Sequence, residues 1–182
     1  MESIKKMAER ITLVHATEAH AELLHKIFTG ANTRKYSPVH NQSIGTLAEH
    51  LRRTGTGFSE KAPHYRLFGE ADGILFGTFI VKNIEWDRRR AEAGFSLLDA
   101  WQGRGWGRAL VYKALLAVFS EPHIDELWAT VSVTNTACNS LMHRLGFTFC
   151  GPYHEAFRIQ GVPVRQNLYQ ITREQMPCPD TE

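Results

Sequence analysis

Long apolar runs are missing from this 182-residue chain. No stretch approaches the roughly 20 residues that cross a bilayer as a helix, and the opening MESIKKMAER lacks the apolar centre of a secretory signal. Cysteine is scarce: Cys138, Cys150 and Cys178 form no CxxC pair, and an odd number suits a reducing compartment better than a disulfide framework. The nine histidines show neither HExxH nor another metal-ligand spacing, so no metal is expected. An excess of one sign of charge is also absent. The formal net charge is +2, and Arg52-Arg53 and Arg88-Arg89-Arg90 are short clusters that read as solvated turns. A nucleic-acid partner needs a concentrated basic face, so none is expected. These absences together point to a cytoplasmic protein with no membrane partner.

What is present is a globular composition, 43% hydrophobic and 22% charged, long enough to bury one core without staples. One domain is expected over residues 11–172, with loose tails at 1–10 and 173–182. Alternating residues predict a strand at 11–15. Thr17 caps a predicted helix at 18–29, residues 30–43 read as a loop, and a second helix follows to about Arg53. Strands are predicted at 64–70 and 73–84 around the Asp72-Gly73 turn, and at 90–98. A helix at 105–120 has Leu110, Val111, Ala114, Leu115 and Val118 as its inner face. A strand at 124–133, a helix at 135–145 and two strands at 147–159 and 164–171, joined near Gln160-Gly161, complete the chain. The fold class is α/β (α+β) around one sheet.

One stretch carries most of the chemistry. Gln102-Gly103-Arg104-Gly105-Trp106-Gly107-Arg108 follows a strand and opens a helix. Its glycines let a ligand approach the backbone closely, and the free N–H groups of a helix start make an anion site. Arg104 and Arg108 add charge suited to phosphate oxygens. The stretch matches neither GxGxxG nor a GxxxxGK[ST] loop.

Gln102-x-x-Gly105-x-Gly107 resembles the Q/R-x-x-G-x-G/A motif of the GCN5-related N-acetyltransferases (GNAT), and Asn135-Thr-Ala-Cys138 leading to Leu145-Gly146-Phe147 resembles that family's second signature. Residues 11–24 and the strand Ala91-Glu92-Ala93-Gly94-Phe95 look most like its RimJ/RimL branch. The resemblance implies a mixed, twisted sheet of six to seven strands with about four helices, and two central strands (90–98 and 124–133) splayed at a bulge to admit acyl-CoA. It implies acetyl-CoA as co-substrate, with its pantetheine arm paired to the backbone of Phe95, Ser96 and Leu97. The diphosphate then belongs on Gly103, Arg104, Gly105, Trp106, Gly107 and Arg108, with Gln102, Asn135 and Cys138 as further cofactor-binding residues.

The activity so implied is transfer of an acetyl group to a primary amine by direct attack on the thioester. Glu92 is the general-base candidate; the alternative is a partner for Arg88–Arg90. A backbone N–H near Leu97 would face the oxyanion. Many members place a Tyr acid where this chain has Met142, and a thioether donates no proton. Cys138 reads as a buried small thiol, and Asn135 also suits a helix cap. Tyr36, Trp86 and Tyr153 are candidate acceptor-lining residues. The acceptor implied is a peptide or protein N-terminal α-amine, in a monomer or homodimer, although Arg165 stands where RimJ/RimL-like chains often carry Asp. A polyamine or antibiotic N-acetyltransferase is the alternative among enzymes, and a non-catalytic acyl-CoA-binding sensor the alternative outside them.

Overall fold

A computed structural model describes residues 3–37, 42–58 and 61–176, without the side chains of residues 155–157. Part of the expected 30–43 loop, and the C-terminal tail beyond Met176 with Cys178, lie outside the described residues. The strands are β1 (Ile11–His15), β2 (Tyr65–Ala71), β3 (Ile74–Glu85), β4 (Arg90–Leu97), β5 (Glu126–Ser132), β6 (Thr148–Ile159) and β7 (Val162–Thr172). They form one seven-stranded sheet in the order β1-β2-β3-β4-β5-β7-β6. Only β4 and β5 run parallel; every other pair is antiparallel.

The helices are α1 (Ile4–Glu9), α2 (Ala21–Phe28), α3 (Ala31–Tyr36), α4 (Ile44–Arg52), α5 (Trp106–Ser120) and α6 (Thr136–Arg144). Two apolar clusters cover the two sheet faces. Alternation along β2 and β3 sends Phe68 to a cluster with Leu24, Ile27, Leu47 and Leu51 of α2 and α4. It sends Phe79 and Val81 to a larger cluster with the apolar residues of α5.

Three sequence expectations change. Residues read as a loose N-terminal tail form α1, with Ser3 Oγ capping Lys6 N–H at 3.3 Å. Six residues do not hold a helix alone; α1 stands because it packs on α5. The supposed loop after Gly30 contains α3, whose first N–H, on Ala31, donates to Asp99 Oδ2 at 2.9 Å. The C-terminal tail begins with an anchor: the Arg173 guanidinium donates to the Glu121 and Ile124 carbonyls at 2.6 and 2.7 Å. With α1 above it and the sheet below, α5 buries Tyr112 and Phe119 as well as its predicted inner face.

Leu110 is fully buried at the centre of α5. Leu110→Ala is expected to cost about 2–5 kcal/mol, read as a lower urea midpoint with an unchanged slope.

Candidate active site

β4 and β5 pair at only three positions, Arg90↔Glu126, Ala91↔Leu127 and Glu92↔Trp128. Beyond these the strands part, and a cleft of about 1340 Å³ opens between Ala93–Leu97 on one side and Ala129–Ser132 on the other. Each strand stays paired to its outer neighbour, β4 to β3 as far as Leu97 and β5 to β7 as far as Ser132. The register irregularity near the parting lies in β3, not in either splayed strand. Four residues of β3, Lys82 to Glu85, lie opposite three of β4, Glu92 to Arg90. The bulge holds Asn83 at φ 48°, a conformation that Asn tolerates.

The parting leaves one edge of β4 open. Leu98 N–H donates to Phe76 O across β3 at 2.9 Å. Antiparallel alternation then turns Ser96 and Gly94 to β3, and Phe95 and Leu97 to the gap. Of the three residues expected to pair with a ligand through their backbone, Ser96 therefore has its N–H turned away, although the residue still lines the cleft.

The glycine-rich loop closes one end. Gly103 and Gly105 have φ of +71° and +87°, which L side chains rarely adopt, so both positions require glycine. Gly105 is the N-cap of α5 and leaves the first helical N–H groups facing the cleft. Arg104 and Arg108 line the same end, and the buried Nε of Arg108 has no hydrogen-bond partner. Gln102 is committed to the protein: its Nε2 donates to Leu97 O at 3.0 Å and its Oε1 accepts from Asn32 at 2.6 Å. It ties the loop to β4 and α3. Met7 of α1 lies beside Gly105 and also lines the cleft, a contribution hidden from the sequence by the reading of α1 as a tail.

Glu92 faces the cleft with its side chain 14% exposed. Its Oε1 meets Lys82 Nζ at 3.3 Å and its Oε2 accepts from Asn83 Nδ2 at 2.6 Å. Arg88, Arg89 and Arg90 instead pair with Glu85 and Asp125. Two strands away on the same sheet face stands Arg66, which no motif or spacing singles out. His50 and His64 stack beside it, their rings 4.0 Å apart. Burial, the His64 ring and the cations Arg66, Arg53 and Lys82 lower His50 from 6.5 to about 4. Burial and Arg66 also lower His64.

On the far wall, Asn135 Oδ1 accepts from Cys138 N–H at 3.1 Å, so Asn135 caps α6. Burial pushes the Cys138 thiol up to about 12. Such a group stays protonated near neutrality and is neither a nucleophile nor a useful acid. Met142 is fully buried. Asn139 fixes this wall, donating to Ser132 O at 2.9 Å and accepting from Tyr169 at 2.7 Å. Of the three aromatic candidates only Tyr36 lines the cleft. Trp86 meets Tyr65 edge-on, and Tyr153 stacks on Trp128. Among the described residues no group of three or more His, Cys, Asp and Glu side chains is arranged to hold a metal, and no helix is long and apolar enough to cross a membrane.

Residues 10–148 match the sequence model of the acetyltransferase (GNAT) domain. A relative described as the uncharacterized N-acetyltransferase YoaA of Bacillus subtilis (strain 168) is 23% identical over 167 residues, covering 91% of this chain and 94% of its own. Similar solved structures include RimL, a ribosomal L7/L12 alpha-N-protein acetyltransferase in complex with coenzyme A (TM-score 0.79, 18% identity, 90% and 94% of the two chains). Another is the spermidine N-acetyltransferase from Vibrio cholerae in complex with CoA and spermine (TM-score 0.81, 21% identity, 92% and 98%). At these identities the structural likeness establishes the shared fold.

His50 supplies a pH prediction. Its folded value lies below its ordinary one, so between about 4 and 6.5 the unfolded chain binds more protons than the folded chain. This contribution to stability is complete above pH 6.5 and is lost as pH falls toward 4. Denaturation midpoints measured across that range are expected to fall less steeply in His50→Gln than in the wild type.

Proposed function

The chain belongs to the GNAT acetyltransferase family, and from that premise we propose that it uses acetyl-CoA to acetylate a primary amine, in the first instance the α-amine of a peptide or protein. The observation that carries this reading is the open β4 edge at Phe95 and Leu97, running toward the unpartnered Nε of Arg108 and the free start of α5. An extended amide-bearing arm fits the first, as an added strand does, and a diphosphate fits the second. The solved relatives named above were determined with CoA. Acetyl-CoA would supply an activated thioester carbonyl; the protein's own residues do the rest.

In this reading Gly103, Arg104, Gly105, Trp106, Gly107 and Arg108 hold the diphosphate end, and Gln102 positions that loop rather than touching the ligand. Asn135 and Cys138 wall the thiol end. The Leu97 N–H, turned to the gap, faces the carbonyl oxygen as negative charge develops on it. Glu92 receives the proton of the attacking amine. Only the neutral amine is a nucleophile, and an α-amine, with an ordinary pKa of roughly 7.7–8.0, loses its proton more readily than a lysine. Lys82 and Asn83 fix the Glu92 carboxylate while each oxygen keeps a lone pair for a further donor. A thiolate of ordinary pKa, about 8.5, departs without a dedicated acid, which accommodates Met142.

The test is CoA release from acetyl-CoA with a panel of N-terminal peptides, amino acids, aminoglycosides and polyamines, for the wild type and Glu92→Gln. Release with an amine class is expected, with turnover of the variant about 100-fold lower and acetyl-CoA affinity little changed. Equal turnover of the two proteins across pH would remove Glu92 from the base role.

A further inference from the structure

Arg66 is 5% exposed and lines the cleft. Its Nη1 donates to Thr78 Oγ1 at 3.0 Å, and its guanidinium lies 5.6 Å from the centre of the Phe28 ring. Its Nε has no hydrogen-bond partner, and no carboxylate among the described residues pairs with it. Burial draws it down to about 10, which still leaves it charged at neutral pH. A buried cation without a counter-charge works against folding. Glu92, the acidic residue of the same cleft, is held by Lys82 and Asn83. The stacked pair His50 and His64 stays neutral beside it and supplies no negative charge.

Register places Arg66 relative to the proposed chemistry. It is opposite Ile80 of β3, and Ile80 is opposite Gly94 of β4, so Arg66 shares a sheet face with Glu92. Two strand spacings put its backbone roughly 10 Å from β4. A group bound at Arg66 and an amine beside Glu92 therefore belong to one small molecule or one peptide end.

We propose that the acceptor amine also carries an anionic group, a carboxylate or a phosphate, and that Arg66 receives it. The proposal rests on the transferase reading and names its substrate class. An oxyanion supplies the missing counter-charge and takes the free Nε–H in a charge-assisted hydrogen bond. A polyamine offers no such group and meets the cations Arg66 and Lys82 of the cleft, whose field, with that of Arg53, is already felt at His50.

The experiment compares matched amines in the CoA-release assay: glutamate against its diamide, phosphoethanolamine against ethanolamine, and spermidine. The wild type, Arg66→Gln and Arg66→Lys are tested, with acetyl-CoA affinity as the check that each variant is folded. Calorimetric binding of glutarate and of inorganic phosphate is measured in parallel. The anionic member of one pair is expected to exceed its neutral partner in kcat/KM by about 10- to 100-fold. That ratio should collapse toward one in Arg66→Gln and recover in part in Arg66→Lys, and the pair that responds identifies carboxylate or phosphate. Equal use of neutral and anionic amines, preference for spermidine, or an unchanged ratio in Arg66→Gln would overturn the proposal and leave the transferase reading standing. Acetylation of no amine, with glutarate or phosphate bound by the wild type and not by Arg66→Gln, would uphold the anion site and overturn the transferase reading. Neither acetylation nor anion binding would overturn both.

Discussion

β4 and β5 are held along their lengths by different neighbours and to each other for only three residues. Parallel strands that part in this way leave main-chain groups of both without partners, a costly arrangement when those groups are buried. Here the cost is limited because the gap is a cleft. The protein answers one of these groups itself, the Leu97 carbonyl, with the Gln102 amide. The bulge at Asn83 adds local twist next to the point where pairing ends, and the same residue anchors Glu92. The device that helps turn β4 away from β5 thus also fixes the carboxylate proposed as base.

The cleft is electrostatically uneven along its length. At one end, Arg104, Arg108 and the start of α5 favour phosphate oxygens. On the neighbouring sheet face, Arg66 and Lys82 favour an anion, with Glu92 held by Lys82 between them and the gap. Both ends therefore attract negative charge, whereas among the described lining residues Glu92 alone offers a carboxylate to a cationic acceptor. Neutral His50 and His64 add polar surface without reversing this pattern.

The parts of this architecture that the sequence revealed are those encoded locally. The turn at Asp72-Gly73, the apolar face of α5 and the glycines of the 102–108 loop each depend on residues a few positions apart, and so does the succession of strands and helices along the chain. What stayed hidden is encoded across distance. The cap of α3 comes from Asp99, 68 positions away. α1 is too short to be read without α5 above which it lies. The β3 bulge is a matter of register between strands, so Asn83 looked like one more strand residue. Arg66 sits in an ordinary alternating stretch, and only the packing of α2 and α4 over that sheet face makes its charge buried and unpaired.

The central claim, that the open β4 edge receives an extended acyl carrier, is tested most directly by residue-resolved amide hydrogen exchange with and without acetyl-CoA. The account predicts strong new protection of the Phe95 and Leu97 amides, which face the gap, and little change at Gly94 and Ser96, already turned to β3. Binding of acetyl-CoA with no new protection at Phe95 and Leu97 would contradict it.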